Sequence, residues 1–426
     1  MSRNIKVLFF TFIFLSRLFI LPVRAEEAGD VLSIEKALAV AWQNNPEVLE
    51  ARKKIEIQKA HYRQTRKLTN PGIEFEVDKL RKDFTGANEY DKRALEGEGR
   101  VNQPLELWGK KGLKIGIAKD EVVQAELEYK KLWLDVSRQI KEQYAQTLLG
   151  QKSIELAEEN LNIARRLLDQ VQVRFNTGKA RSHEFARAKL EAAKARNSFL
   201  KSENDFRIAL GKLNILLGRK MNEVVKLQDS LTPQAIAKTL EEYLNMALSQ
   251  NTEILSQKQE VVKRDKELKL AKRQKLPDVT VSAFANREDE LYSAGAGISF
   301  ELPIWHQFQG DVRAAFLEKE TAGIHLEALK RMVELDVYEA FQNVNLTFQT
   351  VHNLEDSIKE ANELLRIITI EYDEGEAPFL TYLEGIASYQ KTKQEYLEAL
   401  TDYSHKLADL EQSIGKTQEF TEEKKQ

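Results

Sequence analysis

The chain has no cysteine. Disulfides, thiolate metal sites, cysteine nucleophiles and lipid attachment to an N-terminal cysteine are therefore excluded. Proline (8) and glycine (19) are scarce among 426 residues, a balance that favours long helices over a loop-rich enzyme. Methionine occurs only four times, with no cluster able to pass copper(I) along. The histidines (His61, His183, His306, His325, His352 and His405) show no helical i, i+4 pair and no second ligand nearby, so no metal site is expected. Net charge is only −3, which gives no case for nucleic acid binding. No nucleophile–base arrangement is visible, and neither an enzyme nor a cofactor is expected. Past the N-terminus no stretch reaches the ~18 apolar residues of a membrane-crossing helix.

Residues 1–25 stand apart. Arg3 and Lys6 precede an apolar stretch, Val7 to Ser16, which resumes after Arg17 as Leu18 to Val23. Val23-Arg24-Ala25 places small residues at −3 and −1 of a cleavage point before Glu26, the pattern of a secretory signal peptide. A membrane anchor is the alternative, and Arg17 interrupts it.

What is present is a repeat. Asn44-Asn45-Pro46-Glu47-Val48-Leu49 returns as Gln250-Asn251-Thr252-Glu253-Ile254-Leu255, and Pro71 returns as Pro277, both 206 residues on. Gly97 and Gly99 return as Gly295 and Gly297, offset 198; Gly178 returns as Gly375 and Gly218 as Gly415, offset 197. Two copies of one unit are expected, at 26–218 and 239–415, joined by a segment at 219–238 and followed by a polar tail at 416–426. The drop in offset puts the longer strand–strand loop in copy one.

Each copy has the same order of periods. Helical spacing from Ser33, a good N-cap, continues past Pro46 to about Leu68. Ile73, Phe75 and Val77 then alternate with Glu74, Glu76 and Asp78, and after a polar loop at 79–92 Leu95, Gly97, Gly99 and Val101 alternate with Glu96, Glu98, Arg100 and Asn102. A helical run from about Trp108 to Phe175 follows, then a shorter helix capped by Ser182. In copy two the helix from Thr239 to about Lys275 precedes strands around Val279–Asn286 and Tyr292–Phe300, with a turn at Arg287-Glu288-Asp289-Glu290. A long helix to Tyr372 and a shorter one from Pro378 complete it.

Two physical inferences follow. One helix of roughly 68 residues can be flanked by two of roughly 36 laid end to end, packed as in coiled coils. The strands, about ten residues each and alternating, have the length of membrane β-strands. Four strands cannot close a barrel, and an open edge is not tolerated in lipid. Two chains would supply eight strands and three chains twelve. A soluble hairpin capping a helical bundle is the alternative.

Several segments resemble the TolC-like outer membrane efflux proteins. These are Ala41-Trp42-Gln43-Asn44-Asn45-Pro46, Thr69-Asn70-Pro71-Gly72-Ile73-Glu74-Phe75-Glu76, Gln103-Pro104-Leu105-Glu106-Leu107-Trp108-Gly109-Lys110-Lys111, Arg174-Phe175-Asn176-Thr177-Gly178 and Leu213-Asn214-Ile215-Leu216-Leu217-Gly218-Arg219. The resemblance implies a mainly α fold with a small β part. It implies a homotrimer whose four strands per chain complete a 12-stranded barrel in outer membrane lipid of a Gram-negative-type cell, above a periplasmic helical tunnel. It also implies docking to a periplasmic adapter and an inner-membrane pump, with an RND-type pump as candidate. The strand-flanking segments look most like the CzcC-like branch, which serves metal-cation efflux pumps. Some relatives there carry an N-terminal lipidated cysteine, which this chain cannot.

That resemblance directs attention to three residue groups. Asn176, Thr177, Gly178, Ala180 and Ser182, with Gly375, Ala377 and Pro378, form two helical turns that share a Gly-x-Ala pattern and would meet the adapter. The turns carry opposite charge: Arg174 and Arg181 (with Lys179) in one, Glu371, Asp373 and Glu374 (with Glu376) in the other, a candidate periplasmic gate in which Arg174 pairs with an acid. Glu74, Glu76, Asp78, Glu96 and Glu98 would line the barrel and favour cations. Trp108 and Trp305 fall where interfacial aromatics sit. The expected function is a passive exit duct for metal cations, drugs or a type I secreted protein. A periplasmic coiled-coil structural or adapter protein without a barrel is the alternative.

Overall fold

The computed structural model describes residues 31–80, 95–228, 232–233, 235–288 and 291–416. The signal-peptide expectation (1–25), nearly all of the strand–strand loop of copy one, and the tail after Lys416 lie outside the described residues. In chain order the elements are β1 (Val31–Leu32), α1 (Ile34–Asn44), α2 (Pro46–Arg66), β2 (Gly72–Leu80), β3 (Leu95–Leu105), α3 (Lys110–Asn176) and α4 (Ser182–Leu216). There follow β4 (Lys226–Leu227), α5 (Leu240–Gln250), α6 (Thr252–Arg273), β5 (Val279–Glu288), β6 (Leu291–Phe300), α7 (Gln309–Glu374) and α8 (Phe379–Ser413).

The long helices have 67 and 66 residues. Each runs unbroken because no proline falls inside it. The flanking helix of each copy is broken once, where a single long run was expected. The Asn45 side chain accepts from the Glu47 and Val48 backbone N–H groups, and Pro46 takes the first helical position of α2. Asn251 caps Glu253 and Ile254 in the same way. Each asparagine also ties its break to the end of the copy's last helix, through the Leu216 carbonyl at 2.8 Å and the Ser413 carbonyl at 2.9 Å. Gly218, at φ +70°, is required there: a Cβ would stand 2.3 Å from the Asn44 carbonyl oxygen.

Three expected boundaries shift. Ser182 is the first residue of α4, and its N-cap is Arg181, whose N–H donates to the Glu184 carboxylate. Strand β2 continues through Lys79 and Leu80, past a register irregularity between Val77 and Lys79 that leaves Asp78 out of the ladder. Strand β5 takes in Arg287 and Glu288, so the expected turn there begins later.

The long helices are the spine. Helix α3 packs against α2, α4, α6 and α8, and α7 against α5, α6 and α8. One apolar core gathers Leu38, Val48, Trp133, Ile140, Tyr144, Leu213 and Leu217 of copy one. A second gathers Ile254, Val337, Val344, Leu410 and Ile414 of copy two. A third, at the far end, joins both copies through Leu167, Val171, Ala188, Ile368, Tyr372, Tyr382 and Ile386. The short pair β1–β4 closes copy one, where the Tyr144 hydroxyl donates to the Leu32 carbonyl at 2.9 Å.

At the other end lies an antiparallel sheet in the order β2-β3-β5-β6. Copy one supplies β2 and β3, copy two β5 and β6, and the outer edges of β2 and β6 are open within the chain.

Candidate functional site

The ladder register sorts the sheet into two faces. Glu74 lies opposite Arg100 and Glu76 opposite Glu98; next come Phe284 and Asn286 on β5, then Gly295 and Ser293 on β6. Cross-strand partners share a face, so this face also holds Asn102, Ser282, Thr280, Gly297 and Ser299. The other face holds Ile73, Phe75, Val77, Val101, Val281, Tyr292, Ile298 and Phe300, all exposed in the single chain; Phe75 is 83% exposed. An exposed apolar band on one side and a polar face on the other is the pattern of a membrane barrel wall. At about 3.3 Å per residue these strands are long enough to cross when tilted.

Glu74, Glu76 and Glu98 are thus brought together on the polar face. The side chains of Asp78 and Glu96 lie outside what the structure describes. The face is less acidic than composition suggests, because Arg100 joins it and donates to Glu98 from Nε at 2.8 Å. Among the residues whose side chains are described, the copy-two strands add mainly Thr, Ser, Asn and Gly, and the acids of this face come from copy one.

Two of the strand glycines seat aromatic rings. A Cβ on Gly295 would come 2.6 Å from Cζ of Phe284, and one on Gly99 would meet Phe75 at 3.4 Å. Phe284 also carries the Arg100 guanidinium 5.6 Å from its ring centre. An aromatic ring laid over a cross-strand glycine covers backbone that the glycine leaves bare.

At the opposite end the two helical turns are built alike. After Gly178 (φ +73°) the N–H groups of Lys179 and Ala180 donate to the Arg174 carbonyl. After Gly375 (φ +87°) those of Glu376 and Ala377 donate to the Glu371 carbonyl. Phe175 stacks on Phe185 at 5.2 Å, and the equivalent Tyr372 stacks on Tyr382 at 4.7 Å. Burial raises the Tyr372 and Tyr382 hydroxyl pKa values above the usual tyrosine range.

Arg174 crosses between the turns. Its guanidinium donates to the Tyr372 carbonyl at 3.0 Å and lies 4.6 Å from that ring's centre, so its partner within the chain is a carbonyl and an aromatic face. Gln170, missed by the sequence reading, reaches Asp373 at 3.3 Å. Among the described residues Lys179, Arg181, Glu371, Glu374 and Glu376 form no ion pair. The two charged turns therefore stand side by side with most of their charge unspent.

Below the sheet, Trp108 donates its indole N–H to the Pro277 carbonyl at 2.9 Å, and Lys110, almost fully buried, holds the Leu276 carbonyl and Asp278. Trp305, its repeat counterpart, is 95% exposed.

Comparison with known proteins decides what this architecture is. The pattern of the family described as "Outer membrane efflux protein" matches residues 37–219 and 243–416, one match on each copy. The chain belongs to the outer membrane efflux protein family. It is 22% identical over 398 residues to the cobalt-zinc-cadmium resistance protein CzcC of Cupriavidus metallidurans, covering 93% of each chain. It is 23% identical over 320 residues to the nickel and cobalt resistance protein CnrC of the same organism, covering 74% of each. Among solved structures, the outer membrane protein VceC of Vibrio cholerae superposes with a TM-score of 0.74 at 16% identity, covering 90% of this chain and 96% of that one. The family and fold are those of efflux channels of the outer membrane, which are not enzymes. Channels of this family are homotrimers that work with adapters and pumps, with the helical tunnel in the periplasm.

Proposed function

We propose that three copies of this chain form the exit duct of a tripartite efflux system that carries divalent metal cations. The observation that carries the duct reading is the two-faced sheet with open edges at β2 and β6. Neither edge survives in lipid unpaired, and joining β6 of one chain to β2 of the next satisfies both. The duct is passive, and the pump supplies the energy.

The names of CzcC and CnrC support metal cations as cargo, and the acids Glu74, Glu76 and Glu98 suit cation passage. The turns around Gly178 and Gly375, with Asn176, Thr177, Ala180, Ser182, Ala377 and Pro378, dock the periplasmic adapter of an RND-type pump. Arg174, Arg181, Glu371, Asp373 and Glu374 hold the tunnel mouth closed between adjacent turns. Residues 1–25 direct export and are removed. The units at 26–218 and 239–415, linked by 219–238, are the two halves of each protomer's wall.

The test is conductance of the purified chain in planar bilayers. A cation-selective pore is expected, with selectivity falling in a Glu74→Gln/Glu76→Gln/Glu98→Gln variant. A water-soluble chain that forms no pore would sink the reading. The cargo is tested separately: loss of the chain from its own cell should lower tolerance to cobalt or zinc, and unchanged tolerance to every divalent cation would remove the metal assignment.

A further inference from the structure

The internal repeat lets the seam inside the chain be compared with the seam the chain leaves open. Within the chain α3 meets copy two along a ladder of polar pairs. Asp120 holds Lys266 at 2.6 Å, Lys131 holds Glu253 at 2.6 Å, and Arg138 meets Asp409 at 3.4 Å. Gln124 donates to Glu260, Gln412 donates to Asp135, and Lys141 pairs with Glu411.

An offset of 197 relates α3 to α7. It carries the buried Ala125, Val136 and Ile140 onto the buried Ala322, Val333 and Val337. The same offset carries the ladder residues Asp120, Lys131, Asp135, Arg138 and Lys141 onto Leu317, Ala328, Met332, Leu335 and Tyr338. Each of these five charges, between Asp120 and Lys141, is replaced by an apolar or aromatic side chain on α7, and all five replacements are exposed in the single chain; Met332 is 61% exposed and Leu335 55%. Nearer the turns the charge is kept: Glu159, which holds Lys393 at 2.6 Å, corresponds to Asp356, and Lys393 to Arg196.

The opposing surface changes in the same sense. Lys263, Lys266, His405 and Gln412 correspond to Ile57, Ala60, Ile208 and Ile215. Ile57, Ile208 and Ile215 are 50–58% exposed. Glu47, Lys54 and Lys212, the counterparts of Glu253, Glu260 and Asp409, keep a charge there, the lysines on long apolar stems. Trp305 follows the same logic: Trp108 is anchored on Pro277 inside the chain, and the counterpart of Pro277 is Pro71, which a second chain must bring.

We propose that along the Asp120–Lys141 stretch of α3 and its counterpart on α7 the two seams of the tunnel wall are chemically distinct: an ionic seam inside each chain, and an apolar seam between chains in which the Leu317–Tyr338 stripe of α7 packs on Ile57, Ala60, Ile208 and Ile215 of a second copy. The reading rests on the trimer proposed above. The division prevents misassembly. A charged α3 face set against the apolar stripe would leave its charges unpaired, so copy one of one chain cannot take the place of copy two in the next. It also sets the response to salt. Burial of apolar surface is little affected by ionic strength, whereas exposed ion pairs are screened.

The absence of cysteine makes cross-linking clean. Full-length chain carrying Met332→Cys and Ile215→Cys, oxidised in membranes, is expected to run as disulfide-linked trimer. The control pair Asp135→Cys and Gln412→Cys is expected to link within the monomer. In a second arm the dissociation midpoint of the wild-type trimer is expected to change less than about twofold between about 0.1 and about 1 M salt. A trimer that forms no Met332–Ile215 link, or that weakens about tenfold or more in high salt, overturns the apolar seam while leaving the duct intact. A wild-type chain that is monomeric in membranes overturns the trimer and the seam together.

Discussion

The side-chain amide of Asn45 donates to the Leu216 carbonyl at 2.8 Å across 171 residues of chain. The same side chain caps α2 through its carbonyl oxygen. One buried amide therefore ends α1, starts α2 and fastens the end of α4, and Asn251 does the same in copy two.

Asn45→Ala removes the cap and leaves the Leu216 carbonyl without its donor. A loss of about 1–3 kcal/mol is expected from the cap and the bond together. Asn45→Asp keeps the cap acceptor but sets a carboxylate against a carbonyl, so it should recover only part. Thermal melts of both variants in detergent check this; an unchanged melt in Asn45→Ala would refute the joint.

The sequence displayed much of this. Asn45-Pro46 and its echo at Asn251 were visible as repeated signals, and the strand faces followed from a period of two, which depends only on local stereochemistry. The exact helix break was not visible, because a capping asparagine differs from an ordinary helical one only once its distant partner is in place. Ser182 looked like the cap by residue type, yet the chain places Arg181 there. Arg100 and Phe284 could be assigned to the polar face from alternation, but their pairing depends on the β3–β5 register, which joins segments about 180 residues apart. The charge ladder on α3 was hidden for another reason. Its partners lie in the other copy, and only superposing the two copies shows which face each charge serves.

Phe284 seated on Gly295 predicts a compensating pair. Gly295→Ala places a methyl 2.6 Å from the ring, which should push Phe284 off the wall and lower the yield of assembled trimer several-fold. Adding Phe284→Ala to Gly295→Ala should restore assembly. Heat-modifiable migration on gels reads both, and a Gly295→Ala variant that assembles normally alone would count against the seat.

Acid should loosen the top of the wall. Hydrogen bonds from Lys269 and Lys319 hold Asp265 down at about 2, against an ordinary value of 3.8. Glu260 is also lowered: burial opposes its charge, but Lys263 and Gln124 outweigh it. A depressed carboxylate stabilises the fold fully above its unfolded pKa, and that contribution is lost as pH falls through its folded pKa. Asp336 acts oppositely, since burial and then the nearby Glu339 and Glu253 raise it. The protection of α6 amides against hydrogen exchange, corrected for the intrinsic rate at each pH, should therefore fall between about pH 4 and about pH 2. Replacing Asp265 with Asn should flatten that response.

At the tunnel mouth Arg174→Ala removes the bond to the Tyr372 carbonyl and the contact with its ring. Single-channel conductance should rise, with the open fraction increasing several-fold. Arg174→Lys, which keeps charge but loses the planar fork, should fall between the two. Wild-type conductance in both variants would free Arg174 of any role in closure.

The most direct test of the account is the oligomeric state of the full chain taken from the outer membrane fraction by native mass spectrometry in detergent. The account predicts a mass of three chains that resists high salt and collapses to one on heating. A water-soluble chain of one-protomer mass, absent from that membrane, would contradict it.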